Sequence, residues 1–257
     1  MQRAYLLLLL IMLPFSTALA RADTLGLCVD ANAWAPYTYP SRDGTLQVLA
    51  KMTAIQLGDS ISIVALPWVR CQKSVESGAL QGMIATSDTD YALRTFALPR
   101  LRDAGATLDT SRAMGSGTIL LLRRVGSDVH WDGKHLSGQQ GPVLYVFGYS
   151  DVRRHLQAIG VASDGGASDN EQNARKILAG RAEVMAIYLG DAASLMARPE
   201  FAGKLEPLAP PLGDSEYYLA FNLQYYAAHR DMIEQFWDEL RTVRHSPNYR
   251  LAIENIR

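Results

Sequence analysis

Two hydrophobic periods alternate along this chain. Short apolar runs of strand length are followed by segments in which an apolar residue returns every third or fourth position, the spacing of one helix face. "TLGLCVDA" at 24–31 reads as a strand, and "GTLQVLAKMTAIQLG" at 44–58 as a helix with Val48, Met52 and Ile55 on one stripe and Gly58 placed to stop it. "SISIVALP" is the next strand, "RCQKSVESG" a short helix ended by Gly78, and "GMIATS" a third strand that runs into hydroxyls. A second unit begins near Gly117. It comprises the strand "GTILLLRR", the polar loop "WDGKHLSG", the strand "PVLYVFGYS" and the helix "DVRRHLQAIG", with Val152, Leu156 and Ile159 on one face. Ser168 and Glu171 have the spacing of a capping box opening the helix "NEQNARKILAG". The apolar strand "AEVMAIYLG", a break at "PLAPPLGD", the strand "EYYLAFN" and a long helix from about Arg230 to Arg244, burying Ile233, Phe236, Trp237 and Leu240, complete the chain. Alternating strands and helices predict an α/β fold with mostly parallel sheets, and two such units predict two lobes with a cleft between them.

The N-terminus follows a different pattern. Arg3, the apolar run Leu6 to Leu13 and the small residues of "STALARA" predict a signal peptide over residues 1–22, cleaved after Ala20 or Ala22. A retained anchor is the opposing reading, and the compact apolar run with small residues behind it disfavours it. No second stretch approaches membrane-spanning length, so an exported, periplasmic protein is expected. The 257 residues are 48% hydrophobic and 20% charged, an ordinary globular composition. Without residues 1–22 the chain carries 23 basic against 26 acidic residues, a formal charge of −3. No basic face stands out, which excludes a nucleic-acid partner. Cys28 and Cys71 are the two cysteines. They make one bridge or two buried thiols, and an oxidising compartment favours the bridge.

Catalytic and cofactor motifs are absent: there is no G-x-S-x-G, H-E-x-x-H, C-x-x-C, P-loop or G-x-G-x-x-G. No cofactor or metal is expected. His130 and His135 read as surface histidines, and Asp88 with Asp90 as loop chemistry before acid–base chemistry. The positive signal lies where strands end, because in open parallel sheets ligands settle beyond the carboxyl ends of strands. Asp30, Trp34 and Tyr37 follow the first strand, Trp68 and Arg70 the second, and Thr86, Ser87, Asp88 and Arg94 the third. Tyr149, Ser150, Tyr188 and Tyr217 hold the corresponding places further on.

The order and spacing of "VDANAWAPYTY", "LPWVRCQKSVESGALQGMIA", "GYS", "LAGRAEVMAI" and "FWDELRTVRHSPNYRLAI" resemble the family-3 periplasmic solute-binding proteins, the polar amino-acid-binding group of ABC importers. The similarity covers nearly all of the chain after residue 22, and "PWVRC" looks like the mark of a subgroup. The resemblance implies two α/β lobes joined by hinge strands, of the type II periplasmic-binding-protein fold. Lobe one would span 23–116 with 213–257, and lobe two 117–212. It implies a monomer that closes on a small polar metabolite, an amino acid or related organic acid, and presents it to an ABC permease. Trp34 would stack on the ligand, and Ser150, at a helix N-terminus, would serve a carboxylate. Two positions depart from the family. Its carboxylate-binding Arg follows T-x-E-R, whereas "TDYALR" puts Arg94 one residue later, and its ammonium-binding Asp falls at Tyr188, which leaves either Asp30 or Asp191 to substitute or a ligand that is a non-amino-acid metabolite with an acidic or aromatic part. Two alternatives stand beside the transport reading. One is a cyclohexadienyl-dehydratase-like enzyme with Asp30, Asp88 or Asp191 as its acid, and the other is a sensory protein that reports to a membrane receptor.

Overall fold

The structure is a computed structural model and describes residues 24–103 and 105–256. The expected signal peptide lies outside the described residues. Strand β1 (Leu25–Asp30) is buried on both faces, so its alternate side chains feed two cores. Leu25, Leu27 and Val29 pack with helix α1 (Thr45–Leu57), and Cys28 joins Val75 and Met83 on the other side. In α1 the fully buried stripe is Leu46, Leu49, Ala50, Thr53 and Ala54, while Val48 and Met52 are partly buried at the edge of the same core. Ile55 is 72% exposed. Thr53 disguised that face as polar, yet its hydroxyl is satisfied by Leu49 O at 2.9 Å. Gly58 ends the helix in the left-handed region at φ 75°.

Strand β2 (Ile61–Leu66) lies parallel to β1, with Cys28 opposite Val64. Helix α2 (Trp68–Glu76) starts at Trp68, because the Pro67 carbonyl accepts the Arg70 and Cys71 N–H groups at 2.7 and 3.0 Å. Cys71 faces β1 and is bonded to Cys28, with Cα atoms 5.8 Å apart. Strand β3 (Gly82–Thr86) follows, then helix α3 (Asp90–Thr95), a segment read from sequence only as loop and capped by the Thr89 side chain on Ala92 N. Strand β4 (Phe96–Ala97) leads to the long strand β5 (Gly115–Arg124).

The expected polar loop contains a hairpin, β6 (His130–Trp131) with β7 (Leu136–Ser137). Trp131 forces it, since its ring is buried and its Nε1 donates to Pro210 O at 2.9 Å. Strand β8 (Val143–Val146), helix α4 (Ser150–Ala158), strand β9 (Ser163–Ala167) and helix α5 (Asn170–Leu178) follow. The cap of α5 is Asp169, which accepts Gln172 N at 2.7 Å, so the capping residue stands one position after the expected Ser168. Next come strand β10 (Val184–Tyr188), helix α6 (Leu189–Met196), which the sequence reading missed, and strand β11 (Leu205–Pro207). Strand β12 (Gly213–Asn222), helices α7 (Leu223–Ala228) and α8 (Arg230–His245), and a further unexpected helix α9 (Pro247–Ile253) close the chain. The order β2-β1-β3-β12-β5-β10-β8-β9 shows how the halves meet. The first part of β12 pairs antiparallel with β5, Gly213 opposite Ile119 to Tyr217 opposite Gly115. Its second part pairs with β3, Tyr218 opposite Thr86 to Phe221 opposite Gly82. One strand therefore belongs to both halves and changes partner between Tyr217 and Tyr218.

Candidate functional site

A cavity of about 320 Å³ opens where the strands of both halves end beside this crossover. Its walls come from the ends of β1 and β3, the start of α2, the turn before α4, the end of β10 and Tyr217 of β12. The loop after β1 is held rigidly. Trp34 and Thr38 exchange backbone hydrogen bonds at 2.8 and 2.9 Å, and Gln47 Oε1 accepts the N–H groups of Tyr39 and Gly44, both at 2.9 Å. Gly44 is required by this close approach, since a Cβ there would stand 2.3 Å from Tyr37 O. The loop thus fixes the Trp34 ring against Tyr37, Tyr217 and Tyr188 at centroid distances of 4.3, 4.5 and 5.2 Å. Tyr149 extends the wall, 5.5 Å from Tyr188. Tyr217 lies over Gly117, where a Cβ would be 2.6 Å from its hydroxyl.

Charge in the cavity has one sign. Asp30 and Asp151 are the ionisable carboxyls of its lining, and none of the described lining residues is Lys, Arg or His. Burial raises Asp30 above the ordinary aspartate range, opposed by hydrogen bonds from the Ala31, Asn32 and Trp68 N–H groups. Asp151, in the first turn of α4, is only 3% exposed and accepts a hydrogen bond from the Tyr188 hydroxyl. Behind the wall, Asp191 in the first turn of α6 accepts from Asn170 Nδ2 at 3.2 Å, and burial pushes its carboxyl up to about 7. Burial also raises the Tyr149 and Tyr188 hydroxyls, and nearby carboxylates add to it: Asp191, Asp30 and Asp151 at Tyr149, and Asp151 at Tyr188. Two further features concern unusual backbone and an unused donor. Ala85 in the wall sits at φ 72°, a strained region for a residue with a Cβ, and the β3–β12 register shifts beside it. Trp34 Nε1 is buried without a hydrogen-bond partner among the described residues.

Of the residues singled out from sequence, Asp30, Trp34, Trp68, Ser87, Tyr149, Tyr188 and Tyr217 line the cavity. The others lie elsewhere. Tyr37 stands behind Trp34 with its hydroxyl toward Ser116 O at 3.4 Å. Thr86 is buried behind the wall. Because α2 begins at Trp68, the helical turn carries Arg70 to the outer face beside Lys73, Ser74 and Ser77. Asp88 does not face the cavity as a free carboxylate. Arg154 of α4 donates to its Oδ1 at 2.5 Å and to its backbone oxygen at 2.7 Å, tying the two halves together. Arg94 is exposed on α3, and Ser150 is exposed at the start of α4, outside the cavity lining. Sequence reasoning passed over Asp151, Phe147 and Ser168, which do line it. Asp151 carried one signal, an acidic residue in the first turn of a helix that starts at a strand end.

No family model matches the sequence, and no curated protein matches it. Solved structures do resemble the fold. A histidine kinase sensor domain with similarity to periplasmic binding proteins superposes with a TM-score of 0.67 at 14% identity, covering 91% of this chain and 95% of its own. An amino acid ABC transporter substrate-binding protein from Streptococcus pneumoniae bound to L-arginine gives 0.64 at 15%, covering 91% and 94%. The GluR0 ligand-binding core from Nostoc punctiforme in complex with L-glutamate gives 0.63 at 14%, covering 91% and 98%. The chain therefore has the two-lobed α/β architecture of the type II periplasmic binding proteins, with β12 as the strand that its two halves share.

Proposed function

We propose that this protein is a periplasmic solute-binding protein that closes its two lobes on a small polar metabolite, such as an amino acid or a relative of one. The observation that carries this reading is the cavity itself. Both lobes and the crossover strand contribute to one pocket of metabolite size, lined by aromatic rings with a few polar groups. Closure is driven only by contacts that are better in the closed than in the open form, and walls from both lobes provide them. Similar structures hold L-arginine and L-glutamate by their descriptions, which supports a ligand of that size. In this reading the chain is exported by the signal peptide over residues 1–22 and acts as a monomer. Residues 23–116 with 213–257 form one lobe and 117–212 the other. The captured solute goes to an ABC permease, and "PWVRC" marks a subgroup of the family-3 binding proteins. The similarity to a histidine kinase sensor domain supports a second reading, delivery of the ligand-bound state to a membrane receptor. Small-angle scattering of the protein with and without metabolite mixtures tests closure. A solute that binds compacts the particle, and identical profiles with every mixture would overturn the reading. Capture of a permease or of a receptor from solubilised membranes separates the two routes.

A further inference from the structure

Resting on the solute-binding reading above, we propose that the cleft takes an organic cation, an amine or quaternary ammonium compound, gripped by aromatic rings and by Asp30 and Asp151. Among the described residues the pocket lining offers a carboxylate no cationic partner. Three sets of observations meet on this assignment. First, the lining holds two carboxyl groups and, among the described residues, no cationic side chain to oppose an incoming anion. Asp151 is almost wholly buried, and a hydrogen bond from the Tyr188 hydroxyl holds it in place. An added ammonium group gives Asp30 a counter-charge that no lining residue supplies, and adds to the field of Arg154 that already reaches Asp151 along α4.

Second, aromatic residues share the cavity with those carboxylates. Trp34, Trp68, Phe147, Tyr149, Tyr188 and Tyr217 line the same space. An arrangement of rings beside carboxylates attracts a cation through the ring quadrupoles and repels an anion. Phe147, 72% exposed, stands at the rim where such a ligand enters.

Third, the places where this fold would seat an anion are already taken by the chain's own acids. The start of α2 donates the Trp68 N–H to Asp30. The first turn of α4 contains Asp151, and the first turn of α6 contains Asp191. The two helix ends at the cavity wall, and that of α6 behind it, thus each have a carboxylate of their own. The candidate cations are equally committed or distant: Arg154 is bound to Asp88, Arg70 lies on the outer face of α2, and Arg94 is exposed on α3.

Isothermal titration of the wild-type protein with compounds paired by loss of a carboxylate tests the assignment directly. The pairs are L-arginine with agmatine, L-lysine with 1,5-diaminopentane, and glycine betaine with choline, and L-glutamate and succinate serve as anionic probes. In each pair that binds, the partner without the carboxylate is expected to bind at least tenfold tighter. Asp30→Asn and Trp34→Ala are expected to weaken it tenfold or more, and Arg94→Gln to leave it unchanged. Because the paired comparison uses only the unmodified protein, a variant that fails to fold does not spare the proposal. Equal or tighter binding of the amino acid in a pair, or binding of L-glutamate or succinate without the amines, overturns the cation assignment and leaves the solute-binding reading standing. Absence of binding by every compound, together with no compaction in scattering, overturns both.

Discussion

Removing the guanidinium of Arg154 should open the protein without taking any residue from the wall of its pocket. Arg154→Met keeps the aliphatic stem on α4 and deletes the two hydrogen bonds that cross to Asp88. The side chains are 42% and 31% exposed, so solvent screens the pair and its contribution is small, about 0.5–1 kcal/mol at low salt. In the lobe division proposed above its effect is nonetheless undiluted, since the two ends would sit on different lobes and the contact would be made in the closed arrangement alone. The closed-to-open ratio should fall by a factor of about 2–5, and the apparent dissociation constant of a ligand that needs closure should rise by the same factor. Trp34 and Trp68 line the cavity, so intrinsic fluorescence reads the titration. The decisive comparison is the affinity ratio of variant to wild type at 20 mM and at 1 M salt. The Debye length falls to about 3 Å at 1 M, which screens the wild-type pair and should bring the ratio to about 1. Salt effects on the ligand itself cancel in that ratio. An unchanged affinity at low salt, or the same loss at both salt concentrations, would refute the assignment of this pair as an interlobe tie.

Other perturbations reach the fold and the site by different routes. Replacing Cys28 and Cys71 with alanine releases a cross-link over a sequence separation of 43, worth about 4 kcal/mol by loop closure. Calorimetry should show melting roughly 8–16 °C lower, and equal melting of oxidised and reduced protein would contradict this. Burial holds the Asp191 carboxyl at about 7, above its unfolded value near 4, so the folded state keeps a proton that the unfolded chain has lost between those values. Stability should therefore fall as pH rises from about 4 to 7, by up to about 1.4 kcal/mol per pH unit. Urea midpoints at pH 5 and 7.5 read the effect, which Asp191→Asn should flatten. In Gly117→Ala the new Cβ meets the Tyr217 hydroxyl at 2.6 Å and must displace that ring from the cavity wall. Ligand affinity should drop tenfold or more with little change in melting, and an unchanged affinity would show that Tyr217 is not needed where it stands.

The strands were legible because burial on both faces leaves a continuous apolar run, as in "LGLCVD" and "VMAIY". Helices were less so wherever a buried position is small or polar. In α1 Thr53 hides the true stripe, and α6, rich in Ala and Gly, shows too little apolar contrast beside β10 to announce itself. The site was readable as far as strand ends go, which brought Asp30, Trp34, Trp68 and Tyr188 to notice. It failed where a side chain's direction depends on a helix boundary or on a distant partner. Starting α2 at Arg70 and not at Trp68 turns Arg70 toward the cleft on paper and away from it in fact. Asp88 looked like a free strand-end acid because its partner stands 66 residues further along the chain. Asp151 acquires its meaning only from the Tyr188 hydroxyl, which no local pattern connects to it.

The partner exchange along β12 has a consequence for the order in which the molecule can assemble. Everything from β5 to β11 leaves the ribosome before β12 exists, while β1, β3 and α1, made earliest, must wait longest. Until the end of the chain emerges, β3 lacks its β12 neighbour, and the core under α1 lacks Phe236 and Trp237 of α8. Tyr249 of α9 even returns to bond the Thr45 carbonyl at the very start of α1. The first half is thus completed by the last residues synthesised. For the exported chain proposed here, such late completion keeps the first half from closing its core until the last residues have been made.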